Sequence, residues 1–160
     1  MTAEVDVPQG GGDGMLATMG GRWGGWGLYL LKGKPVFHYN MLILAQYHWE
    51  GSDALTRGKH TIGFDYTYDG PGIAKGGSGL LKVDGKVVAT GKQANSIAFL
   101  QVADETFDVG LDTRTGVNGD YQVPFAFDGK IDKLTVNLGP MQLTAAEQVK
   151  MREATALARD

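Results

Sequence analysis

Two groups of side chains have the types and spacing to do chemistry. The first is histidine. His38 and His48 lie in two alternating runs, Pro35 to Asn40 and Ala45 to Glu50, joined by a short loop around Met41 to Leu44. His38 shares parity with Val36 and Asn40, and His48 with Gln46 and Glu50, against the apolar Tyr47 and Trp49. Both therefore point to one polar face, where a matching register would let them share a divalent metal. Asp65 has the polar parity of the following strand and would complete a His-His-carboxylate set, which suits a small metal-assisted hydrolase of activated esters. Two surface histidines on neighbouring strands are common, and that plainer reading takes precedence on sequence alone. His60 has the parity of Ile62 and Phe64 and is expected to face the core or cap a strand end.

The second group is acidic. The stretch ADETFDVGLDTRTG (103–116) holds Asp104, Glu105, Asp108 and Asp112. Calcium bound by Asp104, Asp108 or Asp112 with loop carbonyls is physically reasonable, although the run lacks the D-x-[DN]-x-[DN]-G spacing of an EF-hand loop. It also lacks a carboxylate pair spaced as in sandwich glycosidases. Alternation places Phe107, Val109 and Leu111 on one face and Thr106, Asp108, Gly110 and Asp112 on the other. A half-buried strand with its acids toward water is therefore expected, followed by a turn held by side-chain-to-backbone hydrogen bonds.

Other residues are weaker candidates. Trp23, Trp26, Tyr29, Trp49, Tyr66 and Tyr68 could form a sugar-stacking platform, with at least one of Trp23 and Trp26 exposed; packing in a core or against another domain competes and takes precedence. The glycine runs at 10–14 and 20–27 do not match a nucleotide loop. Lys75, in IAKGGSG, comes closest to a phosphate-binding loop, but no helix N-terminus follows to hold an anion.

The elements that must position these groups are short. Alternation predicts strands at Thr2 to Val7, Gly27 to Leu31, Pro35 to Asn40, Ala45 to Glu50, Lys59 to Tyr68, Ser96 to Leu100, Phe107 to Asp112 and Lys130 to Leu138. The clearest hairpin is LLKVDGKVVATG, because Asp84-Gly85 suits a type I′ turn with positive φ at both central positions. With 25 glycines punctuating such runs, the expected fold is all-β, a two-sheet antiparallel jelly-roll-like sandwich over residues 1–141. Residues 142–160 form a helical tail, opened by a capping box at Thr144 and Glu147.

Composition excludes several functions. Lys+Arg is 15 against Asp+Glu 18, so no basic footprint for nucleic acid or an anionic membrane exists. There is no cysteine for a disulfide, a thiol nucleophile or a thiolate metal site. No run is long enough to span a bilayer, and MTAEVDVPQGGG lacks the charged and apolar regions of a signal peptide, so a soluble chain is expected.

Several stretches together resemble the C-terminal domain of the bacterial arylsulfatase family: GGRWGGWGLYL (20–30), KPVFHYN (34–40), GKHTIGFDYTYDGPGIAKGGSG (58–79), KVDGKVVATG (82–91), and ADETFDVGLDTRTGV with YQVPFAFDGKI within 103–131. The VDGKVVA hairpin is also similar to concanavalin A-like and laminin-G-like sandwiches. The resemblance implies a noncatalytic accessory domain that packs on a sulfatase catalytic domain, assists homo-oligomerisation or lines the entrance for a sulfated small molecule, with Lys75 beside that entrance. A lectin-like, glycan-binding module is the alternative. The C/S-x-P-x-R motif that generates the catalytic formylglycine in these sulfatases is absent, as is the parent domain's aspartate-rich calcium cluster. His38 and His48 do not belong to the family pattern, whereas His60 does.

Overall fold

The computed structural model describes residues 1–97, 105–140 and 142–157, of which 154–157 by their backbone alone. In chain order the strands are β1 (Thr2–Val7), β2 (Gly14–Gly21), β3 (Gly24–Leu31), β4 (Lys34–Met41), β5 (Ala45–Glu50), β6 (Gly58–Tyr68), β7 (Lys75–Val83), β8 (Lys86–Asn95), β9 (Phe107–Val109), β10 (Leu111–Asp112), β11 (Phe125–Ala126) and β12 (Lys130–Thr135). Helix α1 (Ala145–Leu157) follows them. The strands build a five-stranded sheet, β12-β1-β6-β7-β8, and a seven-stranded sheet whose path is β10-β11-β2-β3-β4-β5 with β9 also on β2. Among the described residues every pairing is antiparallel except the bridge of β11 to β2. The chain is thus an all-β sandwich with one short C-terminal helix.

Tight turns set the registers. Lys32-Gly33 and Asp84-Gly85 all have positive φ, as the type I′ geometry of a two-residue hairpin requires. Between the sheets lies a core of Val5, Leu16, Leu28, Leu30, Phe37, Trp49, Ile62, Phe64 and Leu81. At its centre Phe37 stacks on Phe64, with ring centroids 3.5 Å apart. The capping box forms at α1: Thr144 N donates to Glu147 Oε2 at 2.9 Å, and Glu147 N to Thr144 Oγ1 at 3.3 Å. Among the described residues no helix is long and apolar enough to cross a membrane.

The seven-stranded sheet has a second covered face, which positions the site. Val36 points away from the main core, as do Met15 and Tyr29, and these three pack beneath Val117 and Tyr121. The segment 113–124 therefore folds back over the outer face of β2, β3 and β4. Glu105 anchors its start by accepting from Thr115 N at 2.6 Å and Thr115 Oγ1 at 2.7 Å.

The acidic strand departs from expectation. Gly110, at φ 79°, interrupts it and separates β9 from β10. Burial then runs opposite to the expected sense: Phe107, Val109 and Leu111 are exposed, while Asp112 is 0% exposed. The reason is the covering segment. Tyr121 OH donates to Asp112 Oδ2 at 2.5 Å, so the carboxylate is drawn under the outer-face cluster, and Phe107 leans on Trp26 at the margin of the core.

Candidate metal centre

His38 and His48 are direct partners in the β4–β5 register. Their rings share the outer face, as parity requires, with His38 buried and His48 at the rim of an open cleft of about 650 Å³. The covering segment brings Asp120 to them. His38, His48 and Asp120 each offer one ligand atom, and these atoms lie within 4.8 Å of one another. Among the described residues no other group of three such side chains forms.

Hydrogen bonds fix which nitrogen of His38 carries its proton. Asn40 Nδ2 donates to Gly21 O at 3.2 Å and Arg22 O at 2.9 Å, so the amide can be oriented only one way. Asn40 Oδ1 then accepts from Gln46 Nε2 at 2.9 Å. Gln46 Oε1 is left facing His38 Nε2, and a carbonyl oxygen only accepts, so His38 carries its proton on Nε2. On the other ring, His48 Nε2 lies 3.4 Å from Glu50 Oε2, another acceptor. His38 therefore presents a bare Nδ1, which faces His48 Nδ1 at 3.2 Å, and neutral His48 can place its own proton on Nδ1 and donate it across that gap. A proton on His48 Nδ1 bridges the two nitrogens, and a metal ion can take that proton's place.

The electrostatics favour neutral imidazole at His38. Burial lowers its pKa and the neighbouring His48 adds to the effect, against weaker opposing pulls from Gln46 and Asp120. Burial pushes the Glu50 carboxyl up, but hydrogen bonds from His48 and Lys34 outweigh it and hold the group below its usual range. Asp120 Oδ2 lies 3.8 Å from His48 Nδ1 and accepts from Asn118 Nδ2 at 2.6 Å and from Tyr29 OH at 3.4 Å. Zinc bonded at roughly 2.0–2.1 Å needs ligand atoms about 3.3 Å apart for tetrahedral coordination. Two of the spacings, 3.2 and 3.8 Å, lie near that, all three fall within 4.8 Å, and the cleft leaves one side of the set open. This arrangement could hold a metal ion.

The other expected site residues are placed elsewhere. Asp65 lies on β6 in the opposite sheet, where its carboxylate takes the Lys82 ammonium at 2.6 Å and stands apart from the histidines. His60 lies at a strand end and bonds Asp84 Oδ2 at 2.8 Å beside the β7–β8 turn. Asp104 lies outside the described residues. Asp108 sits on β9 within 3.5 Å of Thr106 Oγ1, and Asp112 is engaged by Tyr121. The aromatics divide: Trp26 and Tyr66 line one open cleft with Phe37 and Tyr39, Trp49 packs on Phe37 in the core, Tyr29 lies under the covering segment, and Trp23 is exposed. Lys75 opens β7, and the loop before it receives Glu147, whose Oε1 accepts from Ile73 N at 3.1 Å. A carboxylate thus occupies the surroundings of the supposed anion loop.

Asp120 is not legible as a ligand in the sequence because it lies far along the chain from both histidines in a loop without periodicity. Only the anchoring of that loop by Tyr121 and Val117 brings it close. No family model matches the chain, and no curated protein matches it in sequence.

Proposed function

We propose that this protein is a zinc-binding β-sandwich whose His38–His48–Asp120 centre leaves a coordination position for water and hydrolyses small activated esters. The observation behind the reading is the pair of Nδ1 atoms facing each other at 3.2 Å, with His38 Nε2 committed as a donor to Gln46 and Glu50 beside His48 Nε2. Outer partners of this kind orient imidazoles and raise their basicity in metal sites. Zinc suits two imidazoles and one carboxylate, whereas calcium takes about six to eight oxygens. Bound there, zinc supplies Lewis acidity and brings the pKa of a coordinated water toward about 7. Gln46 and Glu50 hold the two rings, and Lys32 and Asn118 border the cleft into which an ester would project. The accessory role beside a sulfatase catalytic domain, and glycan binding, have no comparable cluster behind them.

The test is hydrolysis of p-nitrophenyl acetate by chelator-stripped protein as zinc is restored. The rate above background should rise to a plateau at one equivalent and vanish in His48→Ala. A rate indifferent to zinc, or unchanged by the substitution, would sink the hydrolase reading.

A further inference from the structure

A second cleft, of about 420 Å³, adjoins the one that holds the histidines, and Gln46, Asn118 and Gly119 line both. On β4, His38 lines the first and Asn40 the second, so the two lie one two-residue step apart, about 7 Å along the strand. Arg22, at the β2–β3 turn, is the one charged residue among the described residues that line the second cleft. The metal cleft differs, since Lys32 shares its lining with Glu50 and Asp120. Backbone bonds fix the root of Arg22 from both sides: its N donates to Thr115 Oγ1 at 2.9 Å, and its O accepts from Asn40 Nδ2 at 2.9 Å. Asn40 also orients Gln46, which in turn holds His38. One hydrogen-bonded chain therefore sets Arg22 and the buried histidine in a fixed relation. The Arg22 guanidinium rests over the Trp23 ring, 5.6 Å from its centroid, and the residue is exposed. Such a contact is weak at an exposed site and can yield to an anion.

We infer that Arg22 selects the substrate of this centre, an ester whose acyl chain ends in a carboxylate. This rests on the reading of His38, His48 and Asp120 as a hydrolytic zinc centre and adds the part of the substrate that lies beyond it. With the ester carbonyl at the metal cleft, the acyl chain runs past Gln46 and Asn118, and its far end meets the guanidinium. The planar fork pairs a carboxylate through two parallel N–H···O bonds. Its single charge, among the neutral Asn40, Thr115 and Asn118, matches one negative charge better than a doubly ionised phosphate. The two-residue offset calls for a chain of several carbons between the reacting carbonyl and the anion, so an acetyl ester reaches only the metal cleft. Water adds to the carbonyl carbon, the acyl C–O bond breaks, and a dicarboxylate, an alcohol and a proton leave.

Two esters of equal chain length test it on zinc-loaded protein: mono-p-nitrophenyl adipate, which carries a free carboxylate, and its methyl ester, which does not. The ratio of kcat/KM for the first to that for the second, above background, should be at least about tenfold. Arg22→Gln keeps both backbone bonds and should bring that ratio to about one, through KM, while Arg22→Lys should restore part of it. A ratio near one in the parent, or one that Arg22→Gln preserves, would overturn the inference and leave zinc-dependent hydrolysis standing. If neither ester is cleaved, the hydrolase reading fails, and adipate titrated into metal-free protein still decides the role of Arg22. The amide resonances of Gly116 and Gly119, which line its cleft, should then shift saturably in the parent and not in Arg22→Gln. No shift, or a shift that survives the substitution, would overturn it.

Discussion

Replacing His48 with alanine should weaken zinc binding by about 100-fold or more at neutral pH while leaving the domain folded. Removing an outer partner of a metal-bound histidine typically costs about 10–100-fold in affinity, so loss of a ligand itself should exceed that range. The fold should tolerate the change because His48 stands at the cleft rim, whereas His38 is buried. The same geometry sets a pH dependence. A proton and a zinc ion compete for the space between the two Nδ1 atoms, so affinity should fall as pH drops through the ordinary histidine range near about 6.5. His38 is the less avid proton acceptor because burial has lowered its pKa; its neutral form supports the fold above the unfolded value, and that support is lost as pH falls through the folded one. Calorimetric titration in buffers of differing ionisation enthalpy checks both points. Equal affinity for His48→Ala, or binding indifferent to pH, would contradict them.

The second large effect concerns Asp112. Tyr121→Phe should destabilise the protein by about 3 kcal/mol at pH 7, and by clearly less near pH 4. Tyr121 OH donates to the buried Asp112 carboxylate at 2.5 Å and accepts from Val117 N at 3.0 Å, so its loss orphans two buried groups. Burial already raises the Asp112 pKa; Tyr121, and less strongly the Thr113 N–H, pull it down, while Oδ1 has no partner of hydrogen-bond geometry. A folded pKa above the unfolded one means that the stabilising, protonated form prevails at low pH and is lost as pH rises through the folded value. Deleting the hydroxyl raises the folded pKa further, so the added penalty grows above about pH 4, the usual aspartate value. Urea denaturation at the two pH values measures it, and equal losses would show that the carboxylate is not the cause.

The histidine pair was legible because parity and register are local properties. Val36, His38 and Asn40 must share a face, and a short turn left little freedom to the pairing with Gln46, His48 and Glu50. The I′ turns at Lys32-Gly33 and Asp84-Gly85 and the Thr144 cap were legible for the same reason. β2 was not. Its sequence, GMLATMGG, is buried on both faces, by Leu16 toward the main core and Met15 toward the covering segment, so it shows no alternation, and its glycines read as loop. Asp112 misled for a related reason: its strand kept its alternation, but the sense of burial depended on a segment that returns from residues 113–124. The expected Ser96 to Leu100 strand lies largely outside the described residues, with β8 ending at Asn95. Asp65 failed as a ligand because sheet membership, which parity does not encode, puts β6 across the core from β4 and β5.

The visible absorption spectrum of cobalt(II)-substituted protein tests the metal centre most directly. One equivalent of cobalt should give the intense bands of a four-coordinate nitrogen and oxygen site, and Asp120→Asn should weaken or shift them. The faint spectrum of six-coordinate, hydrated cobalt, or bands that Asp120→Asn leaves unchanged, would contradict a centre built from His38, His48 and Asp120.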